Sequence, residues 1–202
     1  MTDAQLPSLQ KWGIVGWSAL AVGTMVATIW LVNGIDEQGM RMAIRATART
    51  SCILFLCAFV ASALRRMRST PLSVWLLKNR RYFGVSMAVS HTYHAIAIFG
   101  LWYVTAGAAP KFESFTTLAI LGYIFLIAMT ITSFDRPAAL LGQRGWKILH
   151  TTGMHFFWLA FTVEFSFKIA NSPPIYFPFV VLLVGAMVLR LVTPRRQRKL
   201  AS

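Results

Sequence analysis

Six apolar runs of about twenty residues each set the strongest limit on what this chain can fold into. A helix of that length crosses the roughly 30 Å of hydrocarbon in a bilayer. Of the 202 residues, 56% are hydrophobic and 13% are charged, which is far from the balance of a soluble domain. We therefore predict an all-α integral membrane protein, a single transmembrane domain over residues 1–202 that forms a bundle of six helices. The predicted spans are 12–32, 47–64, 82–105, 115–134, 146–167 and 175–192.

The formal net charge of +14 indicates membrane topology and not nucleic-acid binding, because the cations cluster between the apolar runs instead of lining one face. Fifteen of the twenty Lys and Arg residues lie in four segments: the N-terminus, 65–81, 135–147 and the tail from Arg190. The side richer in cations is normally cytoplasmic. We expect both termini to be cytoplasmic in a multi-pass protein of a bacterial inner (cytoplasmic) membrane, in contact with membrane lipid.

The connecting segments are short, so a soluble partner must be a separate protein subunit. Residues 34–49, "GIDEQGMRMAIRATAR", have an amphipathic pattern. They form either a helix along the outer membrane surface or an ordinary connecting loop, and the sequence leaves both open.

All four histidines fall in the predicted third and fifth helices: His91, His94, His150 and His155. An ionisable side chain at membrane depth is costly, so it normally faces the bundle interior and has a partner there. A lone membrane histidine is most simply explained by a hydrogen bond to a neighbouring helix. Two pairs on two helices that run in the same direction favour a shared haem iron, for which histidine is a common axial ligand.

Helical rise limits the number and pairing of ligands. His91 and His94 are about 4.5 Å apart along their helix, and His150 and His155 about 7.5 Å, both less than the width of a porphyrin. We therefore expect one haem and not two in file. When depth is counted from the predicted helix starts, His91 lies closest in depth to His155. Helix tilt can change the depth of either pair of histidines by a full helical turn.

Two stretches carry a family resemblance: "RRYFGVSMAVSHTYH" at 80–94 and "TSFDRPAALLGQRGWKILH" at 132–150. Together with "ARTS" around Arg49, they resemble the ferric reductase-like transmembrane family, and within it the MsrQ (YedZ) type of haem-binding membrane subunit of periplasmic methionine sulfoxide reductase systems. The resemblance covers roughly residues 40–190. It implies a b-type haem with His94 and His150 as the metal ligands, in disagreement with the depth estimate. We favour His94 and His150, because motif spacing does not assume that both helices start at one level.

The sequence also departs from the family pattern. The family commonly has a second histidine on helix five, about thirteen residues after the first, and here that position is Val163. The resemblance therefore implies one haem b and not a two-haem chain across the bilayer. His91 and His155 are additional to the pattern, and each either replaces an expected ligand or contacts a bound quinone. FMN is the other cofactor that we consider.

Several charged residues have two interpretations. Arg49, Arg80 and Arg81 are candidates to hold haem propionates or quinone, because guanidinium binds carboxylate through two hydrogen bonds. The positive-inside rule alone also explains Arg80 and Arg81. Glu164 is either a proton relay or the partner of Lys168 in an ion pair four residues apart.

The leading functional hypothesis is an electron-transfer subunit, part of an oxidoreductase, that passes electrons from quinol or flavin to a partner protein. The alternative is a non-catalytic accessory subunit of a larger respiratory or photosynthetic complex that keeps the fold. A small transporter ranks lower, because the spans lack paired broken helices.

Overall fold

The described residues form six α-helices and no strand, which confirms the predicted all-α class. A computed structural model of the chain describes residues 10–106 and 113–193, with side chains from residue 118 onward in the second range. The helices are α1 (Trp12–Asn33), α2 (Glu37–Met67), α3 (Pro71–Val104), α4 (Glu113–Ile131), α5 (Asp135–Ile169) and α6 (Pro173–Val192). Residues 1–9, most of the predicted outer loop 106–115 and most of the basic tail lie outside the described residues.

Helix α2 is the centre of the bundle. It packs most extensively against α3, and it also contacts α1 and α6. Helix α5 packs against α4 and α6, and α4 also touches α3. Close packing of α2 is possible because its buried face carries small residues, which let helix backbones approach one another.

The expectation for residues 34–49, a surface helix or a connecting loop, was wrong. Residues 37–49 form neither a separate surface helix nor a loop, because they are the first turns of the continuous helix α2. Asp36 caps this helix, and its Oδ1 accepts a hydrogen bond from the Gly39 N–H at 2.9 Å. The turn after α1 is therefore short, and α2 extends well beyond the predicted span.

Helices α3 and α5 both begin eleven residues before the predicted spans. The start of α3 is fixed by a capping box in which Thr70 and Ser73 exchange side-chain-to-backbone hydrogen bonds, followed by Pro71 at the first helical position. Within α5, Gly142 has φ of 70°, a conformation that favours glycine, and the helix axis breaks there. The apolar runs therefore marked the spans but not the helix ends.

The cation-rich segments meet at one end of the bundle, here called the basic end. Trp12 at the start of α1 stacks on Phe134 with ring centroids 5.6 Å apart. Arg81 of α3 forms a salt bridge to Asp135 of α5 at 3.0 Å. This arrangement agrees with a single cation-rich side, whereas the side of the membrane that it faces stays a prediction.

By length and apolar composition, α1, α2 and α6 could each cross a membrane, and a fourth span results if α4 and α5 are counted as one unit bent by 111°. The six-span count is therefore not confirmed and stays a prediction. Helices α3 and α5 are long enough to cross a membrane but, taken singly, are less apolar. They contain all four histidines.

The turn between α1 and α2 allows no side chain at Gly39, because a Cβ atom there would collide with the backbone carbonyl oxygen of Gly34. We expect Gly39→Ala to cost about 1–3 kcal/mol of stability, the usual range for overpacking. The measurement is the thermal unfolding midpoint of the detergent-purified protein. Gly16→Ala is the matched control, since a Cβ atom at Gly16 would meet no neighbouring atom within 4 Å; equal midpoints for both variants would contradict the prediction.

Candidate functional site

Two cavities lie between α3 and α5, which make little direct backbone contact in the described part of the chain. The upper cavity, at the end opposite the basic end, has a volume of about 660 Å³. The lower cavity, at the basic end, has a volume of about 760 Å³. Both volumes fall in the range of about 300–1,000 Å³ that is typical of small-molecule and cofactor sites.

The upper cavity has a mostly apolar lining from α2, α3, α4 and α5. Small residues on facing helices, Ala119, Gly122 and Ala160, leave room for a flat group. Its polar residues are His91, His94, Tyr123, Arg41, Arg45, Glu164 and Lys168. This combination of an apolar chamber with a few polar groups is typical of a cofactor pocket.

The lower cavity is strongly cationic. Its lining includes six cations, which are Arg66, Lys78, Arg80, Arg81, Lys147 and Arg190, together with His150 and His155. Burial, and secondly the charge of nearby Arg66, lowers the pKa of Arg80, which lies outside the predicted spans. The cations therefore interact with one another around this space.

Four buried phenylalanines either line a cavity or contact a residue that does, and we call them the phenylalanine layer: Phe55, Phe59, Phe157 and Phe161. Phe157 lines both cavities, whereas Phe55 lines the lower one and Phe161 the upper one. The rings of Phe55 and Phe161 lie 5.5 Å apart between centroids. The two linings thus meet at an apolar ring, that of Phe157.

Among the described residues, the histidines in each cavity come from a single helix. His91 and His94 of α3 line the upper cavity, and His150 and His155 of α5 line the lower one. The structure therefore does not bring His94 and His150 into one cavity, nor His91 and His155. The last two contact opposite sides of the phenylalanine layer, with His91 6.2 Å from Phe157 and His155 6.1 Å from Phe59 between ring centroids.

Hydrogen bonds indicate which ring nitrogen of His94 carries the proton. Nδ1 lies 3.0 Å from the Thr47 hydroxyl and 3.1 Å from the backbone oxygen of Ile44. The Thr47 hydroxyl donates its proton to the Ala43 carbonyl at 2.7 Å, so towards His94 it can only accept. Nδ1 is therefore the protonated nitrogen, and Nε2 is left as a base that can coordinate a metal.

The two histidines of the lower cavity differ in the same respect. Nδ1 of His155 donates to the Thr151 carbonyl at 2.7 Å, which leaves Nε2 unprotonated. His150 instead donates from Nε2 to the Thr132 hydroxyl at 3.0 Å, because that hydroxyl gives its own proton to Ala128 at 2.7 Å. Nε2 of His150 is therefore occupied, and its ring also stacks on Trp146 at 4.2 Å.

His91 has a buried Nδ1 without a hydrogen-bond partner among the described residues. Its ring lies 5.4 Å from that of His94 and edge-on to Tyr123 and Phe161. A buried polar atom without a partner is costly, so the site is incomplete without a further polar group. Glu164 and Lys168 meet in an ion pair beside the same cavity, which confirms the ion-pair interpretation of these two residues.

Comparison with known proteins supports the predicted resemblance. The chain is similar to proteins named "protein-methionine-sulfoxide reductase heme-binding subunit MsrQ" from Salmonella paratyphi B, Salmonella newport and Salmonella enteritidis. Each is 26% identical over 173 residues, which cover 78% of this chain and 81% of the relative. The chain resembles MsrQ. No protein-family model and no solved structure matches it.

The predicted departure from the MsrQ-like pattern, the missing second histidine on helix five, lies in the upper cavity. Val163, at the position where the resemblance places a second helix-five histidine, lines the upper cavity together with His94. Arg49 lines neither cavity, and its Nε donates to the Arg45 carbonyl at 3.1 Å. Arg41 and Arg45 line the upper cavity but were not among the predicted site residues. Their spacing of four residues from each other and from Arg49 places all three on one helix face, which was the signal in the sequence.

The Thr47 hydroxyl orients the His94 ring, so its removal has a measurable cost. We expect Thr47→Val to lower stability by about 1 kcal/mol through the lost buried hydrogen bond. Thr50→Val, one turn further along α2, is the control, because its hydroxyl bonds to the Ala46 carbonyl at 3.1 Å and to no histidine. The measurement is thermal unfolding in detergent, and an equal loss in both variants would count against an orienting role.

Proposed function

We propose that the chain is a b-type haem-binding membrane subunit that carries single electrons, with His94 as an axial ligand in the upper cavity. The observation that carries the proposal is the His94 ring, whose Nδ1 is held by Thr47 and Ile44 so that Nε2 can coordinate metal. The similarity to MsrQ proteins, whose name describes a haem-binding subunit, supports the same conclusion.

The upper cavity fits the proposed group on three grounds. His94 supplies the nitrogen that haem iron binds. Gly122 and Ala160 leave space for a flat macrocycle, because neither has a large side chain. Arg41 and Arg45 lie in the same lining and would hold the two propionates, although Arg41 also pairs with Glu37 at 2.7 Å.

The protein supplies position and environment. Haem, when bound, supplies a one-electron couple whose potential depends on the axial ligand and on burial. Buried aromatic rings at the cavity wall, Phe157, Phe161 and Phe165, exclude water from this space. Lys168 pairs with Glu164 beside the cavity, so the two side chains compensate each other's charge there.

The wider proposal follows the sequence analysis. The chain would cross a bacterial inner membrane six times with both termini cytoplasmic, hold one haem b, and pass electrons from quinol or flavin to a partner protein. In an MsrQ-like system that partner would reduce protein methionine sulfoxide. His150 as a second ligand, a quinone near His91 or His155, and FMN as a further cofactor stay predictions. Ligation by His150 through Nε2 would first require that atom to leave Thr132.

One observation favours a second candidate, a non-catalytic accessory subunit. In the described part of the chain, neither cavity has histidines from two facing helices. Such a chain would keep the membrane fold without carrying electrons. Absorption spectra separate the two candidates.

We expect the purified protein to give Soret and α bands on reduction with dithionite, and His94→Ala to lose them. His155→Ala, in the other cavity, is the matched control that should keep the bands, and His150→Ala tests whether His150 is a second ligand. Loss in His150→Ala or His155→Ala with bands retained in His94→Ala would contradict the upper cavity as the haem site. No bands in the unmodified protein would favour the accessory subunit.

Val163→His tests the geometry of the upper cavity independently. The new imidazole would come from α5 and face the same space as His94, so we expect stronger haem retention and a shift of the spectrum towards two-histidine, low-spin coordination. Leu159→His is the control, because Leu159 lies on the exposed face of α5 and lines neither cavity. An unchanged spectrum in Val163→His would mean that His94 and residue 163 do not share a haem.

A further inference from the structure

The lower cavity gathers cations from four different helices. Arg66 comes from α2, Arg80 and Arg81 from α3, Lys147 from α5 and Arg190 from α6. Its one acidic lining residue, Asp135, already pairs with Arg81 at 3.0 Å. The lining therefore carries a large excess of positive charge around one cavity, and such an arrangement attracts an anion.

The positive-inside rule explains why cations lie at this end but not why these particular ones converge. Other cations of the same end stay out of the lining: Arg65, Arg68, Arg136 and Arg144. Arg190 in contrast points into the bundle, where its guanidinium lies 4.2 Å from the Phe59 ring centroid and donates to the Phe59 carbonyl at 2.9 Å. The cations of this end thus form two sets. The inward set lines the lower cavity and consists of Arg66, Lys78, Arg80, Arg81, Lys147 and Arg190. The outward set does not line it and includes Arg65, Arg68, Arg136 and Arg144.

Arg81 gives an independent sign of a missing acceptor. Its Nη1 bonds to Asp135, whereas its Nε is buried and has no partner among the described residues. A buried guanidinium N–H normally has an acceptor. Because Arg81 lines the lower cavity, an acceptor bound in that cavity would supply the missing partner.

The lining also contains hydroxyl side chains and a large apolar part, and the apolar part limits the class of ligand. Leu77, Leu126, Met187 and Leu191 face the same space as the cations. A ligand that satisfies both parts of the lining has an anionic head and an apolar body. Basic pockets between helices at the cytoplasmic side are known to bind anionic lipid head groups.

We propose that the lower cavity binds an anionic phospholipid, with its phosphate against Arg66, Arg80 and Arg81 and an acyl chain along the apolar wall. The site is distinct from the proposed haem site, because Phe157 is the only residue that the two described linings share. The lipid phosphate would accept a hydrogen bond from Arg81, and binding the lipid would be the function of the inward set of cations.

The test uses the detergent-purified full chain titrated with phosphatidylglycerol, with phosphatidylcholine and with inorganic phosphate in separate arms. Bound lipid is counted by native mass spectrometry, and stability is followed by the thermal unfolding midpoint. Phosphatidylglycerol should bind and raise the midpoint, whereas phosphatidylcholine should not. Each cation near an anionic lipid surface contributes about fivefold in affinity, so Arg66→Gln with Arg80→Gln should weaken phosphatidylglycerol binding by more than about tenfold.

The matched control is Arg65→Gln with Arg68→Gln, which removes the same charge from the outward set. We expect this variant to keep most of the phosphatidylglycerol effect, and both variants to keep any haem bands, since neither alters the upper cavity. Equal weakening in the two variants would overturn the proposal in favour of general attraction to anionic surfaces. An equal stabilisation by millimolar inorganic phosphate would overturn the lipid as the ligand.

Discussion

A polar seam between α2 and α3 determines how the candidate site is oriented. The Ser51 hydroxyl donates to Ser90 at 2.9 Å, Ser90 donates to the Thr47 carbonyl at 3.3 Å, and the Thr47 hydroxyl accepts from His94 at 3.0 Å. Thr47, Ser51 and Ser90 are fully buried, so water cannot replace these bonds. A shift of α3 by one residue would turn it by about 100°, break the seam and direct His94 away from the upper cavity.

The histidines are divided between two cavities, so the described structure does not bring histidines from two facing helices together as a pair of axial ligands. In the upper cavity, the α5 lining near His94 offers Val163 and the Glu164–Lys168 pair and no histidine. The axial ligand is one of the main determinants of haem reactivity. If His94 holds a haem there, as proposed, the α5 side of the cavity would therefore influence its chemistry as well.

The sequence predicts the helices of this chain well wherever apolarity alone decides them. Predicted spans 12–32 and 175–192 became Trp12–Asn33 and Pro173–Val192, because hydrocarbon length fixes these runs. The starts of α3 and α5 were missed, since polar turns beyond a membrane boundary still form helix, and Thr70 rather than hydropathy determines where α3 begins.

The candidate site was predictable in its residues but not in their grouping. Histidines on α3 and α5 were identified from their position inside apolar runs. Their grouping depends on how the helices pack, for example on the contact of Phe55 from α2 with Phe161 from α5. Such packing joins residues about a hundred positions apart, and no periodicity within one helix encodes it. The polar stripe of Thr47 and Ser51, four residues apart on α2, was the local signal that could have identified the seam.

The phenylalanine layer would have a consequence for energy conservation if the chain spans an energised membrane, as proposed. Two polar cavities in such a protein would shorten the path that water and protons need to cross it. Buried aromatic rings near both cavities, among them the contacting rings of Phe55, Phe59 and Phe161, place apolar material on that path. In that setting, the same side chains that shape the proposed haem site would also limit proton permeability.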